Sequence, residues 1–347
     1  MGLMIDLSFG NYFFYGVVVT LISFLSVYLL TPRLITLLVS KGFVVQDYHK
    51  PGKPRIPRPA GPVLLLGLVG AEVFLYLFTL NAQILAILLT SVIAFLVGWI
   101  DDRKVMPGFF KPVALILAAI PLVVLGAHGT HLNLIFGDAS IPLLYIPLIF
   151  IIIPVAGNTI NSIDVLNGVA SEAVITATIP LLVSIAVFGN TIVFIGGLSL
   201  FFGMIAFYKY HRFPSKIFPG DSGTLLIGAM YGALAIAGSS EIIGVIALLP
   251  SVMNSFLFLN SVKKIVEHRE IKSRPTILME DFRLMASRDK HAPTTLLRLI
   301  LADGPLSEEG VGKRILQLAI YSSLLALLTI GIQYYFLSGV KHTILFP

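Results

Sequence analysis

The chain has 347 residues, 56% of them apolar and 12% charged, with a net charge of +6 and a mean hydropathy of +0.93. So little charge cannot solvate a globule of this length, which excludes a soluble domain and indicates a polytopic membrane protein. The absence of cysteine excludes disulfides and thiolate metal sites.

At roughly 20 apolar residues per crossing, ten helices are expected near 11–40, 60–80, 82–100, 112–127, 141–158, 172–189, 190–208, 221–239, 240–261 and 315–339. The fold class is thus an all-α polytopic membrane protein, a single domain over 1–347 with no internal repeat. Only Asp6 is charged in the first ten residues, and basic residues follow the first apolar run. That pattern is not a signal peptide and favours an outside N-terminus. The inward loops are then 41–59, 101–111, 159–171, 209–220 and 262–314, which hold 22 of the 24 lysines and arginines. The positive-inside rule supports this orientation, with both termini outside, and accounts for the net charge without a nucleic-acid partner. Within 262–314, Pro275 to Met285 suggests a small cytoplasmic hairpin and Thr294 to Asp303 an amphipathic helix along the membrane surface.

Four polar clusters fall on the inward side. The first is the basic, proline-punctuated loop Asp47 to Gly61, in which Lys50 or Lys53 could meet a phosphate or simply obey the positive-inside rule. The second is Asp101-Asp102 at the C-terminal end of a helix, followed by Arg103, Lys104 and Lys111. The negative end of the helix dipole disfavours carboxylates there, so the pair calls for a cation, a metal or a proton-transfer role; pairing with the adjacent basic residues is the plain alternative. In the third, Asn158, Asn161, Asp164 and Asn167 recur every third residue. An ideal helix would spread these four around its surface, so a helix end running into a loop fits better, and their hard oxygens suit Mg²⁺. The fourth, Phe218 to Thr224, starts a helix at which Asp221 could be either an N-cap or a metal ligand, with free amides available for a phosphate.

Together the Asp-x-x-Lys loop ending at Gly61, Asp101-Asp102 with Lys111, the Asn-x-x-Asn-x-x-Asp-x-x-Asn-Gly element and Pro214 to Asp221 resemble the polyprenyl-phosphate N-acetylhexosamine-1-phosphate transferase superfamily. The likeness spans nearly the whole chain. The segment from Thr294 to Leu306 resembles its archaeal and eukaryotic dolichyl-phosphate branch, whereas Ser307-Glu308-Glu309-Gly310 replaces a basic element of that branch that helps bind the sugar and pyrophosphate. The bacterial histidine cluster is absent, with His291 alone nearby.

The resemblance implies transfer of GlcNAc-1-phosphate from UDP-GlcNAc to dolichyl phosphate, releasing UMP, at the cytoplasmic face of the cell membrane, as the first step of lipid-linked glycan synthesis for N-glycosylation. Another UDP-N-acetylhexosamine or undecaprenyl phosphate is the alternative. It also implies Asp101, Asp102, Lys111 and Asp164 as catalytic residues, Asp221 and Asn161 as ligands of Mg²⁺ or Mn²⁺, and Lys50, Asn158, Asn167 and Phe218 as substrate-binding residues. A homodimer is implied by family likeness alone. A distant rival is an ion-coupled transporter, for which Glu72 within the second helix would be the suitable acid.

Overall fold

A computed structural model describes residues 2–104, 106–263 and 273–343. The inward loop 262–314 is therefore described except for 264–272, and the expected positions of the two chain ends, Met1 and residues 344–347, lie outside the described residues. The chain begins with α1 (Gly2–Ser40), then the antiparallel hairpin of β1 (Val44–Gln46) and β2 (Arg55–Pro57). Helices α2 (Gly61–Leu64) and α3 (Gly70–Thr79) are joined by one π-helical turn and form a single span. Next come α4 (Ala82–Arg103), α5 (Phe110–Val124), the hairpin of β3 (His131–Leu134) and β4 (Gly137–Ser140), α6 (Pro142–Ile163), α7 (Val169–Phe188) and α8 (Thr191–His211). The remainder is α9 (Gly220–Ala237), α10 (Glu241–Ala247), α11 (Leu249–Val262), the hairpin of β5 (Thr276–Leu278) and β6 (Leu284–Ala286), the short α12 (Leu296–Ile300) and α13 (Glu308–Thr343).

Every one of the ten expected segments is helical, but two are not plain crossings. Eight helices among the described residues are long and apolar enough to span, or nine if the pair α10–α11 counts as one. With 15 residues, α5 rises only about 22 Å, short of a hydrocarbon core of roughly 30 Å. The expected single helix over 240–261 is instead bent by 74° between α10 and α11. Pro250 explains the break, because it has no N–H for the carbonyl of Ile246. Ser322 Oγ of α13 donates to that carbonyl instead, at 2.6 Å.

The expected hairpin near 275–285 is present as β5–β6, and the expected amphipathic segment contains α12. The β1–β2 and β3–β4 hairpins had no clear sequence signal, since each strand is only three or four residues long.

The core is organised around α9, which is buried over its whole length and packs between α4 and α6. Small residues permit this close approach in a setting where hydrocarbon offers no hydrophobic drive for helix association. A Cβ on Gly98 of α4 would lie 2.4 Å from the carbonyl oxygen of Asp221, so only glycine allows the two helices to cross there. On one flank α1 packs on α8, and on the other α13 packs on α7 and α10. Chain alternation then brings the C-terminal ends of α4, α6 and α8 and the N-terminal ends of α5, α7 and α9 to one end of the bundle. The β3–β4 hairpin closes the opposite end, where Asn133 Nδ2 donates to the Ser239 carbonyl at 2.9 Å.

Candidate active site

At the first of these ends lies a cavity of about 440 Å³, lined among others by Asp47, Arg58, Asp101, Lys111, Asn161, Asp164, Asn167, Phe218 and Asp221. Residues up to 176 positions apart thus share one pocket, and nine of the ten expected site residues line it or bond to residues that do. Gly220 adopts φ +71°, which turns the chain into α9 and presents Asp221 in its first turn.

Asp221 is the hub. Its Oδ1 accepts from Lys111 Nζ at 3.1 Å and Asn161 Nδ2 at 2.5 Å, and its Oδ2 from Arg58 at 2.8 Å. Lys111 also reaches Asp101 Oδ2 at 3.0 Å, so one ammonium bridges two carboxylates. The other oxygen of Asp101 accepts from the backbone N–H of Met106 at 3.0 Å.

Asp102 has a different environment from its neighbour. Its carboxylate accepts from the backbone N–H groups of Asp221 and Ser222, each at 2.9 Å, and from Ser222 Oγ at 2.6 Å. Arg58 adds an ion pair at 3.2 Å, and the Asp102 side chain is only 3% exposed. Asp102 therefore caps α9 from another helix. The dipole end it faces is the positive one of α9, which offsets its unfavourable place at the end of α4. The N-cap alternative for Asp221 is accordingly corrected: Asp102 does the capping and leaves the Asp221 carboxylate turned into the pocket.

The three-residue repeat resolves as expected into a helix end and a loop. Asn158 and Asn161 lie in α6, Asp164 at its C-cap, and Asn167 just before Gly168, whose φ is +85°. Asn158 lies apart: its Nδ2 donates to the Pro154 carbonyl at 2.8 Å, and it borders a second, more apolar cavity between α6 and α11 that reaches Lys111 and Asn161. The Asn167 carboxamide is fully engaged within the protein. Its Oδ1 accepts from Lys50 Nζ at 2.6 Å and the Ser215 N–H at 2.7 Å, while its Nδ2 donates to Glu308 at 2.7 Å and Asp47 at 3.2 Å.

Lys50 pairs closely with Asp47 and lies 3.4 Å from Glu308. Asp47, His49 and Glu308 offer ligand atoms within 4.8 Å of one another. The Lys50 ammonium already supplies positive charge to both carboxylates there. Phe218 lines the pocket, with its ring edge-on to His211 at 6.5 Å.

Sequence reasoning did not single out Arg58, His211 or Glu308. Arg58 looked like one of several basic loop residues, yet Asp221, Asp102, Asp164 and Asp101 all face it. Burial alone would lower its pKa, but these four carboxylates raise it on balance, so it stays charged. His211 Nε2 lies 3.5 Å from Asp164. Glu308, in the segment that departs from the dolichyl branch, is 4% exposed and accepts from the Asn167 backbone N–H at 2.9 Å.

Among the described residues Asp164 has no lysine or arginine in ion-pair contact, and its pKa is pushed up to about 7. Burial is the main cause, Arg58 opposes it, and the charges of Asp221 and Asp102 add to it.

Four carboxylates here face two permanent cations, and the side chains of Asp221, Asp101 and Asn161 converge from three helices. This is a donor set of hard oxygens with surplus negative charge, suited to Mg²⁺. Glu72, by contrast, is buried against α8, where Ser199 Oγ donates to it at 2.8 Å. It serves as a packing contact between helices.

Residues 84–239, which contain the Asp101-Asp102 pair, the Asn-rich element and Asp221, match the sequence model of Glycosyl transferase family 4. Over that region the chain is similar to this family. A Saccharolobus solfataricus protein, provisionally named UDP-N-acetylglucosamine–dolichyl-phosphate N-acetylglucosaminephosphotransferase, is 29% identical over 263 residues, covering 73% of this chain and 80% of the relative. The phospho-N-acetylmuramoyl-pentapeptide-transferase of Streptococcus suis is 29% identical over 241 residues, 64% of this chain and 72% of its own length. A provisionally named glycosyltransferase of Methanocaldococcus jannaschii is 26% identical over 301 residues, 86% of this chain and 91% of its own. The long apolar helices and this likeness fit a multi-pass membrane transferase.

Proposed function

We propose that the protein transfers GlcNAc-1-phosphate from UDP-GlcNAc to dolichyl phosphate. An oxygen of the lipid phosphate attacks the β-phosphorus of the donor, the bond from that phosphorus to the oxygen bridging the two phosphates breaks, and UMP leaves with the bridging oxygen. The product is GlcNAc-diphosphate-dolichol, formed at the cytoplasmic face of the cell membrane and suited to start a lipid-linked glycan for N-glycosylation. The observation that carries this reading is the convergence of Asp101, Lys111, Asn161 and Asp221 on one pocket at the end of a membrane bundle.

Phosphoryl transfer depends mainly on positioning and on neutralising charge. Asp221 and Asn161 would hold Mg²⁺, with Mn²⁺ as a substitute, and the ion would supply neutralisation of the diphosphate. Lys111 and Arg58 hold Asp221 in place and lie ready to share their charge with the phosphates. Asp101, kept beside Lys111, is placed to orient the lipid phosphate. Asp102 acts through the N-terminus of α9 and so is a positioning residue. Phe218 offers an aromatic wall for uracil, and Asn167 fixes Lys50 and the adjoining loop around it.

The names of the archaeal relatives favour GlcNAc and dolichyl phosphate. Glu308, standing in the segment that departs from the dolichyl branch, favours keeping a second donor, another UDP-N-acetylhexosamine, as the alternative. Purified protein incubated with labelled UDP-GlcNAc, dolichyl phosphate and Mg²⁺ should release UMP and form a lipid-extractable product. No UMP release with any pairing of UDP-N-acetylhexosamine and polyprenyl phosphate would overturn the reading.

A further inference from the structure

A third cavity, of about 520 Å³, opens between the ends of α1 and α4, and the α6–α11 groove shares none of its lining. Its apolar wall is Leu34, Leu37 and Trp99, and its rim carries Lys41 and Arg103. Both helices are spanning segments that end here, at Ser40 and Arg103, so the cavity lies where hydrocarbon gives way to headgroups. Trp99, the single tryptophan of the chain, is the kind of residue that anchors at that level.

The charges of this cavity sort by depth. Arg58 is matched by Asp102 and Asp221 within the protein. Lys41 and Arg103, both exposed, have no carboxylate within ion-pair distance among the described residues; Arg103 instead lies over the Trp99 ring, 4.3 Å from its centroid. Two unanswered cations above an apolar wall complement an amphiphile with a phosphate head and a hydrocarbon tail. Leu37, 47% exposed, extends the wall along the lipid-facing side of α1.

We infer that the α1–α4 cleft binds an anionic membrane phospholipid, its phosphate between Lys41 and Arg103 and an acyl chain along Leu34, Leu37 and Trp99. Lys41 and Arg103 are outside the residues assigned above to donor and acceptor, so the phosphate site they form does not depend on which sugar or polyprenyl chain the enzyme uses. Because the cavity shares Arg58, Asp101 and Asp221 with the reaction pocket, the bound lipid would also form one wall beside the transferase centre.

The lone tryptophan makes the test direct. Full-length protein is reconstituted in phosphatidylcholine bilayers containing phosphatidylglycerol or further phosphatidylcholine brominated on the acyl chains, and quenching of Trp99 fluorescence is read at equal mole fractions. Brominated phosphatidylglycerol should quench more strongly, with each cation worth on the order of fivefold in relative occupancy. The Lys41→Gln and Arg103→Gln variants should each reduce that preference, and the double variant should abolish it. Lys41 is exposed at a helix end, so the single Lys41→Gln variant keeps the test valid if the double variant does not fold. Equal quenching by the two lipids, or an unchanged preference in the variants, would overturn the inference. So would loss of the preference on adding a small molar excess of dolichyl phosphate, which would assign the cleft to the acceptor.

Discussion

Buried acids occur in two kinds of place in this bundle, and their partners differ. At the pocket end, Asp101, Asp102 and Asp221 each meet a cation, and Asp221 meets two. Elsewhere, among the described residues, Glu72 has the hydroxyl of Ser199 and Glu241 the hydroxyl of Tyr145, and neither has a cation. Both of these glutamates leave their second oxygen without a hydrogen-bond partner, and neither belongs to the pocket. Burial of an acid in a membrane bundle thus does not by itself mark a reactive centre. A convergent set of acids, cations and amides from several helices does.

The sharpest way to break this contrast is at Asp221. Asp221→Ala should lower Mg²⁺-dependent UMP release by on the order of 10²–10³-fold, the scale on which preorganised electrostatic groups act. Circular dichroism and detergent elution should stay near those of the parent, because Asp102 rather than Asp221 caps α9. Unimpaired turnover would remove Asp221 from the centre. Next in size is Arg58→Gln, which leaves Asp221 with Lys111 as its one cation among the described residues. A loss of about 10²-fold in kcat/KM is expected, again by loss of charge stabilisation, and high salt should not restore it.

These two residues also show how far the sequence could be read. Asp221 was legible as one of four inward polar clusters, although an acid at a helix start reads equally well as an N-cap. The apolar helical segments followed from hydropathy, a property of whole segments, although α5 is too short to count as a plain crossing and α10–α11 is bent. Arg58 did not stand out, since a basic loop residue in a membrane protein is ordinary; only the fold brings four carboxylates around it. Likewise, the difference between Asp101 and Asp102 depends on which face of α4 meets α9. Two adjacent residues in a helix point about 100° apart, and the sequence does not say which is turned to the neighbouring helix. The bend at Pro250 was visible in principle, but its consequence depends on Ser322 of α13 taking up the freed carbonyl.

A smaller effect should separate Asp164 from the paired acids through pH. In the folded protein it holds its proton up to about 7, whereas in the unfolded chain it releases it near ~3.9. Across that window the folded state binds more protons, so this group's contribution makes stability fall as pH rises. Asp164→Asn should flatten that part of the profile, read as the midpoint of thermal unfolding in detergent between the two values. A slope unchanged by the substitution would place its origin elsewhere.

The smallest effect is expected at the acids outside the pocket. Glu72→Gln keeps the shape of the side chain and an oxygen to accept from Ser199 Oγ, so catalysis should be unchanged and the unfolding midpoint nearly so. Glu72→Ala should instead cost about 1–3 kcal/mol, since it strips the buried Ser199 hydroxyl of that acceptor and leaves a void between α3 and α8. Ser199 Oγ retains the Gly196 carbonyl at 2.7 Å, which holds the loss toward the lower end. The informative quantity is the ratio of the two effects: a packing residue loses stability without losing turnover, whereas Asp221 should do the reverse. If Glu72→Gln abolished activity in protein that remained folded, the division between paired and solitary acids would fail, and proton movement through the bundle would return as the leading account of Glu72.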